Sequence, residues 1–177
     1  MSIKHMKIIS TKFEGLKLVK IDNFNDPRGE FVKIFQKKNF FSRLNINECY
    51  ISFSKKGAVR GLHGQSGKFS QEKFIYCING KALDIAVDLR KKSKTYGRIF
   101  KRIISRKNKK AIFIPKGFVH GLISLEKDTI IINFSSNHYN PNKEFGVNIK
   151  SLNLKLPILK LYFSLKDKNL PKLKDII

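Results

Sequence analysis

An all-β sandwich or barrel is the fold class that this sequence predicts. Three observations predict it: short β-rich runs recur along the chain, turn residues separate them at regular spacing, and helical periodicity is weak. Residues 48–54, reading ECYISFS, form a first run. Residues 74–78 (FIYCI) and 82–87 (ALDIAV) flank Asn79-Gly80, the dipeptide preferred in a type I′ turn, and so predict a β-hairpin. Further runs at 98–105, 110–114, 122–125 and 129–135 continue the pattern. An apolar helical period shows at residues 39–44 and in the C-terminal tail. No repeat, linker or low-complexity segment intervenes, so one all-β domain over residues 1–177 is expected, with short peripheral helices.

A chain of 177 residues suffices for a hydrophobic core without disulfides or a structural metal. Cys49 and Cys77 lie far apart and lack the C-x-x-C spacing of a zinc or redox site, and Cys77 sits in an apolar run that reads as core. Residues 1–20 lack the continuous apolar segment of a signal peptide, and no window approaches a membrane span. A reducing cytoplasm and no membrane partner are therefore expected.

Lys and Arg number 37 against 13 Asp and Glu, a formal net charge of +24. Clustered cations would point to nucleic acid, since they neutralise phosphates and release counterions. Here they are scattered, as at Lys37-Lys38, Lys55-Lys56, Lys91-Lys92 and Lys109-Lys110, so no nucleic-acid partner is expected. The charge favours solubility and attracts anionic small molecules.

The chemistry concentrates in Arg60-Gly61-Leu62-His63-Gly64-Gln65, in Gln71 and Lys73, and in Pro115-Lys116-Gly117-Phe118-Val119-His120-Gly121. These stretches place a fixed cation, two histidines and a lysine among predicted strands. With Asp26-Pro27-Arg28-Gly29-Glu30-Phe31, Asp84-x-Ala86-Val87-Asp88-Leu89-Arg90, Ser93-x-Thr95-Tyr96-Gly97 and Tyr139-x-Pro141, they form an ordered series over most of the chain. That series resembles the dTDP-4-dehydrorhamnose 3,5-epimerase family. The resemblance implies a cupin-type jelly roll, a homodimer, and epimerisation of a nucleotide-diphosphate 4-keto sugar with no cofactor and no metal, for surface polysaccharide such as capsule or lipopolysaccharide.

A carbon beside a ketone loses its proton when a base is aimed at it and the enolate oxygen is stabilised; reprotonation on the other face inverts the centre. His63 is the natural base, its ordinary pKa being near neutrality. A carboxylate should fix its tautomer and steady the imidazolium. The resemblance places that acid in Ser164-Leu165-Lys166-Asp167, hence Asp167. Lys73 would meet the developing enolate oxygen, and Arg60 would grip the diphosphate with its planar fork. Arg28 and Gln65 are further expected substrate contacts. His120 either lines the pocket or, with Asp84, forms an internal hydrogen bond, while Asp88 and Arg90 can make a structural ion pair. A metal is not expected, because Gln65 stands where metal-binding cupins place a second histidine; Glu72 and His120 do not complete three clustered histidines.

Two departures bear on the substrate. The family has a tyrosine acid at the position of Asn133, and an amide cannot deliver a proton as a phenol does. Inversion of C3 alone thus competes with inversion of C3 and C5, and Tyr139 is the candidate to line the pocket or replace the lost acid. The family also has a glutamine and an asparagine, which help hold thymine, at the positions of Glu48 and Tyr50. A carboxylate prefers a base edge that donates, so Glu48 points to GDP as well as dTDP. Lys33 and Gly64 replace an expected glutamate and tyrosine, and the small Gly64 beside the base leaves room for a heptose as well as a hexose. A cupin 3,4-ketoisomerase and a non-catalytic sugar-nucleotide binding protein are the competing classes.

Overall fold

The computed structural model describes residues 6–177 except Arg43. Residues 1–5 of the leader reading and Arg43 of the predicted 39–44 helix lie outside the described residues. The strands are β1 (Met6–Ser10), β2 (Lys17–Ile21), β3 (Asn23–Asp26), β4 (Gly29–Val32), β5 (Glu48–Ser54), β6 (Val59–Gln65), β7 (Lys73–Asn79), β8 (Lys81–Asp88), β9 (Ile99–Ser105), β10 (Lys110–Ile114), β11 (Phe118–Ser124), β12 (Thr129–Ser135) and β13 (Glu144–Gly146). Six of them form one sheet in the order β1-β2-β10-β7-β12-β5, and five form another in the order β13-β6-β11-β8-β9. All the pairings are antiparallel, and β3 and β4 make a separate hairpin. This is the cupin-like, all-β architecture that the sequence predicts.

The Asn79-Gly80 hairpin is a correction. β7 pairs with β10 and β12, whereas β8 pairs with β11 and β9, so the turn carries the chain from one sheet to the other. Both edges of each strand are already taken. Gly80 has φ +72°, and a Cβ there would stand 2.7 Å from Thr129 Oγ1. Asn79 Nδ2 donates to the Asp128 carbonyl at 2.8 Å, tying the corner to the loop before β12. The turn residues were legible; the partner of each strand was not.

Period-two alternation explains the layers. Even-numbered Ala82 and Ala86 of β8 face a core between the sheets with Leu18, Ile75, Cys77, Phe100, Ile112, Phe118, Leu122 and Ile131. Odd-numbered Leu83, Ile85 and Val87 face outward, where Val147, Ile149, Leu152 and Leu173 of the C-terminal segment cover them. On the outer face of the six-stranded sheet, Phe41 and Leu44 pack on Phe74, Tyr76 and Phe113. Each fully buried Ile or Leu contributes about 1.5–3 kcal/mol. The predicted 39–44 helix is a single 3₁₀ turn, Asn39–Phe41, whose Phe41 serves this outer layer. The helical tail reduces to one α-turn, α1 (Leu165–Lys168), and short 3₁₀ turns at Ile149–Leu152 and Leu173–Asp175.

Cys77 is core, as expected, and burial pushes its thiol up to about 11. Asp88 and Arg90 do form a structural pair, 2.8 Å apart. Burial of Asp88 opposes its charge, but hydrogen bonds from Arg90, Ser93 and Thr95 outweigh this and hold its pKa down to about 2.

Candidate active site

The inward-facing positions change character along single strands. β7 runs Lys73, Ile75, Cys77; β11 runs Phe118, His120, Leu122; β8 runs Ala82, Asp84, Ala86; β12 runs Ile131, Asn133, Ser135. Lys73 and Asn133 stand toward one end of the space between the sheets, and His120 and Asp84 interrupt the apolar rows of the facing sheet. There a cavity of about 930 Å³ is walled by Tyr50, Arg60, His63, Lys73, His120, Asn133, Lys166 and Asp167 among others. A second, of about 300 Å³, shares Tyr50, His63 and Lys73 with it and adds Glu48, Gln65, Gln71, Tyr139 and Glu144.

Glycines set the approach of the strands that carry the histidines. His63 of β6 registers opposite His120 of β11, and the register shifts between His120 and Leu122. A Cβ on Gly61 (φ +101°) would stand 2.6 Å from the His120 carbonyl, and one on Gly121 would stand 2.3 Å from the Arg60 carbonyl. Neither position tolerates a side chain. The shift lets Arg60, His63 and His120 all face inward.

His63 Nε2 lies 2.7 Å from Asp167 Oδ1. Asp167 is buried, its other oxygen accepts the Gly61 N–H at 3.3 Å, and its own N–H donates to Ser164 Oγ at the start of α1. A carboxylate only accepts, so Nε2 carries the hydrogen and Nδ1 keeps the lone pair. Burial lowers the His63 pKa and Lys166 adds to that, while Asp167 and Glu144 oppose it. The net shift is downward, which keeps the imidazole neutral and able to accept a proton at pH 7.

Lys73 starts β7 beside Ser135 of β12. Burial lowers its pKa against the charges of Glu144, Asp84 and Glu48. A poorly hydrated ammonium gains more from a new negative charge than a hydrated one does. Arg60 donates from Nε to Ser54 Oγ at 2.9 Å and from Nη2 to the Phe53 carbonyl at 2.8 Å, so neutral acceptors orient it on the cavity wall. His120 Nε2 lies 2.8 Å from Asp84 Oδ2, giving both the internal pair and a place on the wall. Asn133 is buried on the opposing sheet, paired with Tyr50 of β5.

Glu48, Gln65 and Gln71, which line the smaller cavity, also bind the loop before β13. Gln65 Oε1 accepts from Asn140 N at 2.7 Å, Gln71 Nε2 donates to the Asn137 carbonyl at 2.9 Å, and Glu48 Oε1 accepts from Tyr139 N at 2.7 Å. They fix the segment that carries Tyr139, whose hydroxyl donates to Glu144 Oε2 and accepts from Lys166 Nζ, both at 3.2 Å. Arg28 stands apart: on the β3–β4 hairpin its side chain is 90% exposed and pairs with Asp26 at 2.6 Å. That hairpin joins neither main sheet, so within the chain Arg28 does not reach the cavity.

Sequence reasoning missed Glu144. Its Oε1 lies 3.5 Å from His63 Nδ1 and its Oε2 pairs with Lys166, so it faces the lone-pair side of the base. One signal was available: Glu144 is the single acid between Asp128 and Asp167. Among the described residues, no three His, Cys, Asp or Glu side chains are grouped to hold a metal ion.

A neutral histidine locked by a buried carboxylate, a desolvated lysine and an oriented guanidinium, facing one cavity, suit proton transfer beside a carbonyl in an anionic substrate. Comparison with known proteins agrees: residues 10–175 match the model of the dTDP-4-dehydrorhamnose 3,5-epimerase family. The chain belongs to that family. It is 32% identical over 176 residues to the dTDP-4-dehydrorhamnose 3,5-epimerase of Shigella flexneri, covering 96% of this chain and 97% of that protein. Among solved structures, the dTDP-6-deoxy-D-glucose-3,5-epimerase of Legionella pneumophila, in complex with dTDP-4-keto-L-rhamnose, superposes with a TM-score of 0.91 at 32% identity, covering 98% of this chain and 95% of that one. A 3′-monoepimerase of Streptomyces bikiniensis, in complex with dTDP-quinovose, gives 0.86 at 26% identity, covering 93% and 86%. Family membership makes the chain an isomerase of the epimerase type.

Proposed function

We propose that this epimerase acts on a nucleotide-linked 4-keto sugar, with His63 abstracting the proton next to the ketone. The observation that carries the reading is the 2.7 Å His63–Asp167 pair facing a cavity shared with Lys73 and Arg60. Nδ1 takes the proton as the C–H pair moves into the ring and the carbonyl oxygen gains charge beside Lys73. The imidazolium then points one N–H at Asp167 and the other toward Glu144. Arg60 holds the diphosphate, which places the sugar between the sheets. Relatives named for dTDP sugars support dTDP as the nucleotide. Glu48, with one oxygen on the Tyr139 N–H, keeps its other oxygen for a donor edge such as that of guanine.

A second reading, inversion of C3 alone, is favoured by the buried amide of Asn133 and by the likeness to a 3′-monoepimerase. One experiment tests both: incubate the protein with dTDP- and GDP-linked 4-keto sugars in heavy water and locate deuterium at C3 and C5. Wild-type exchange is expected at C3. Replacing His63 by Asn should slow it by about 10³-fold or more, within the span of a general acid–base contribution, because the oriented base is removed. A His63→Asn variant that exchanges as fast as wild type would remove His63 as the base.

A further inference from the structure

We propose that Tyr50 is the general acid that completes inversion, delivering a proton to the sugar face opposite His63. The inference rests on the epimerase reading above and adds a residue to it. Tyr50 lies on β5 and registers directly across from Asn133 of β12. Cross-strand partners project from the same side of a sheet, with Cβ atoms about 4.5–5.5 Å apart. Asn133 faces the cavity, so Tyr50 does too, and Tyr50 lines both the larger and the smaller cavity. His63 belongs to the other sheet. A sugar held between the layers thus has the imidazole on one side and this phenol on the other.

The register also fixes which faces the two side chains share. This chain has an amide at 133 and a phenol at 50, the two in direct cross-strand register. Moving a phenol to the directly opposite residue keeps it on the same face of the sheet. Tyr139 is the less suitable donor, because its hydroxyl is engaged by Glu144 and Lys166 and it lies along the smaller cavity. Desolvation and the charges of Glu48 and Glu144 raise the Tyr50 pKa, so the group stays protonated at neutral pH.

The step balances without a co-reactant. The C3–H bond breaks to His63 and its electron pair forms the C3=C4 bond, while the carbonyl pair moves onto oxygen. The enolate pair then re-forms C4=O as C3 takes the Tyr50 hydroxyl proton on the opposite face. The phenolate recovers a proton from water, which reaches this edge-strand residue because 45% of it is exposed, and His63 releases its proton.

The test separates enolate formation from inversion. In heavy water with a dTDP-linked 4-keto-6-deoxyhexose, Tyr50→Phe should retain His63-dependent deuterium uptake into recovered substrate, which also reports an intact fold. Its epimer formation should fall by about 10²-fold or more. Returning a phenol in Tyr50→Phe/Asn133→Tyr should recover at least about tenfold of that loss. An unchanged ratio of epimer to exchange in Tyr50→Phe, or no recovery in the double variant, would overturn the proposal. A collapse in Tyr139→Phe with Tyr50→Phe unaffected would assign the acid to Tyr139 and overturn it as well. Absence of exchange in the wild type would overturn the epimerase reading and this proposal together.

Discussion

The two ends of the space between the sheets are built on the same strands yet behave as different materials. At one end Ile75, Cys77 and Ile131 of the six-stranded sheet close into a dry core with apolar residues of the facing sheet. Two residues along from Ile75 and Ile131, Lys73 and Asn133 face a cavity of about 930 Å³, and on the facing sheet His120, set between Phe118 and Leu122, lines it with Asp84 bonded behind it. The difference teaches where this fold puts its strain. A buried polar group costs free energy unless it is paired, and here the pairs are made before any substrate arrives: Asp84 with His120, Asp167 with His63, Glu144 with Lys166. Asp84 Oδ1 is buried without a hydrogen-bond partner among the described residues. The apolar end supplies stability that lets the polar end stay organised for chemistry.

The most severe way to break the comparison is to extend the apolar end into the polar one. Lys73→Met keeps the length of the stem and removes the charge. Steady-state kinetics should show kcat/KM falling by about 10²–10³-fold, as for loss of an oxyanion donor. Thermal melting should show no loss of stability, since a desolvated charge is gone. A melting point lowered by many degrees would mean that Lys73 is structural.

The reverse exchange should act on stability. Ile131→Asn repeats, one inward position away, the residue that β12 already carries at Asn133. Denaturant unfolding should record a loss of about 3–5 kcal/mol, from the deleted apolar group and an amide without partners. The same amide is accepted at 133 because that position opens onto the cavity.

A gentler perturbation is pH, which sharpens the contrast without mutation. The base must be neutral, and burial lowers the His63 pKa, so the acid limb of kcat/KM should fall as pH drops through a value below 6.5. Lys73 must be charged, and burial lowers its pKa too, so the alkaline limb should fall as pH rises through a value below 10.5. Limbs at or above those ordinary values would show that the site is more hydrated than its geometry implies.

Much of this was legible in the residues. Strands β5, β10 and β12 fall where residues 48–54, 110–114 and 129–135 predict them, because alternation and β-branched side chains are local properties. His63, Lys73, Arg60 and Asp167 do share one cavity. β6 was harder to see, since VRGLHGQ contains two glycines and two charge-bearing side chains in a row of seven. Gln65 was expected to contact the substrate, yet its hydrogen bonds, like those of Gln71, go to a loop that only the folded chain brings near.

By itself the sequence determined the kind of layer, the position of most strands and the chemical groups available, because period-two burial and turn preferences act between near neighbours. Tertiary structure alone decided which strands pair and which groups meet. Asn79-Gly80 has hairpin chemistry but joins two sheets, because the edges of β7 and β8 are occupied by strands distant in the chain. His63 acquires Asp167 across 104 residues, Glu144 reaches its other nitrogen from β13, and Tyr50 meets Asn133 only through the register of β5 on β12. Such partners depend on long-range packing, which no local pattern encodes.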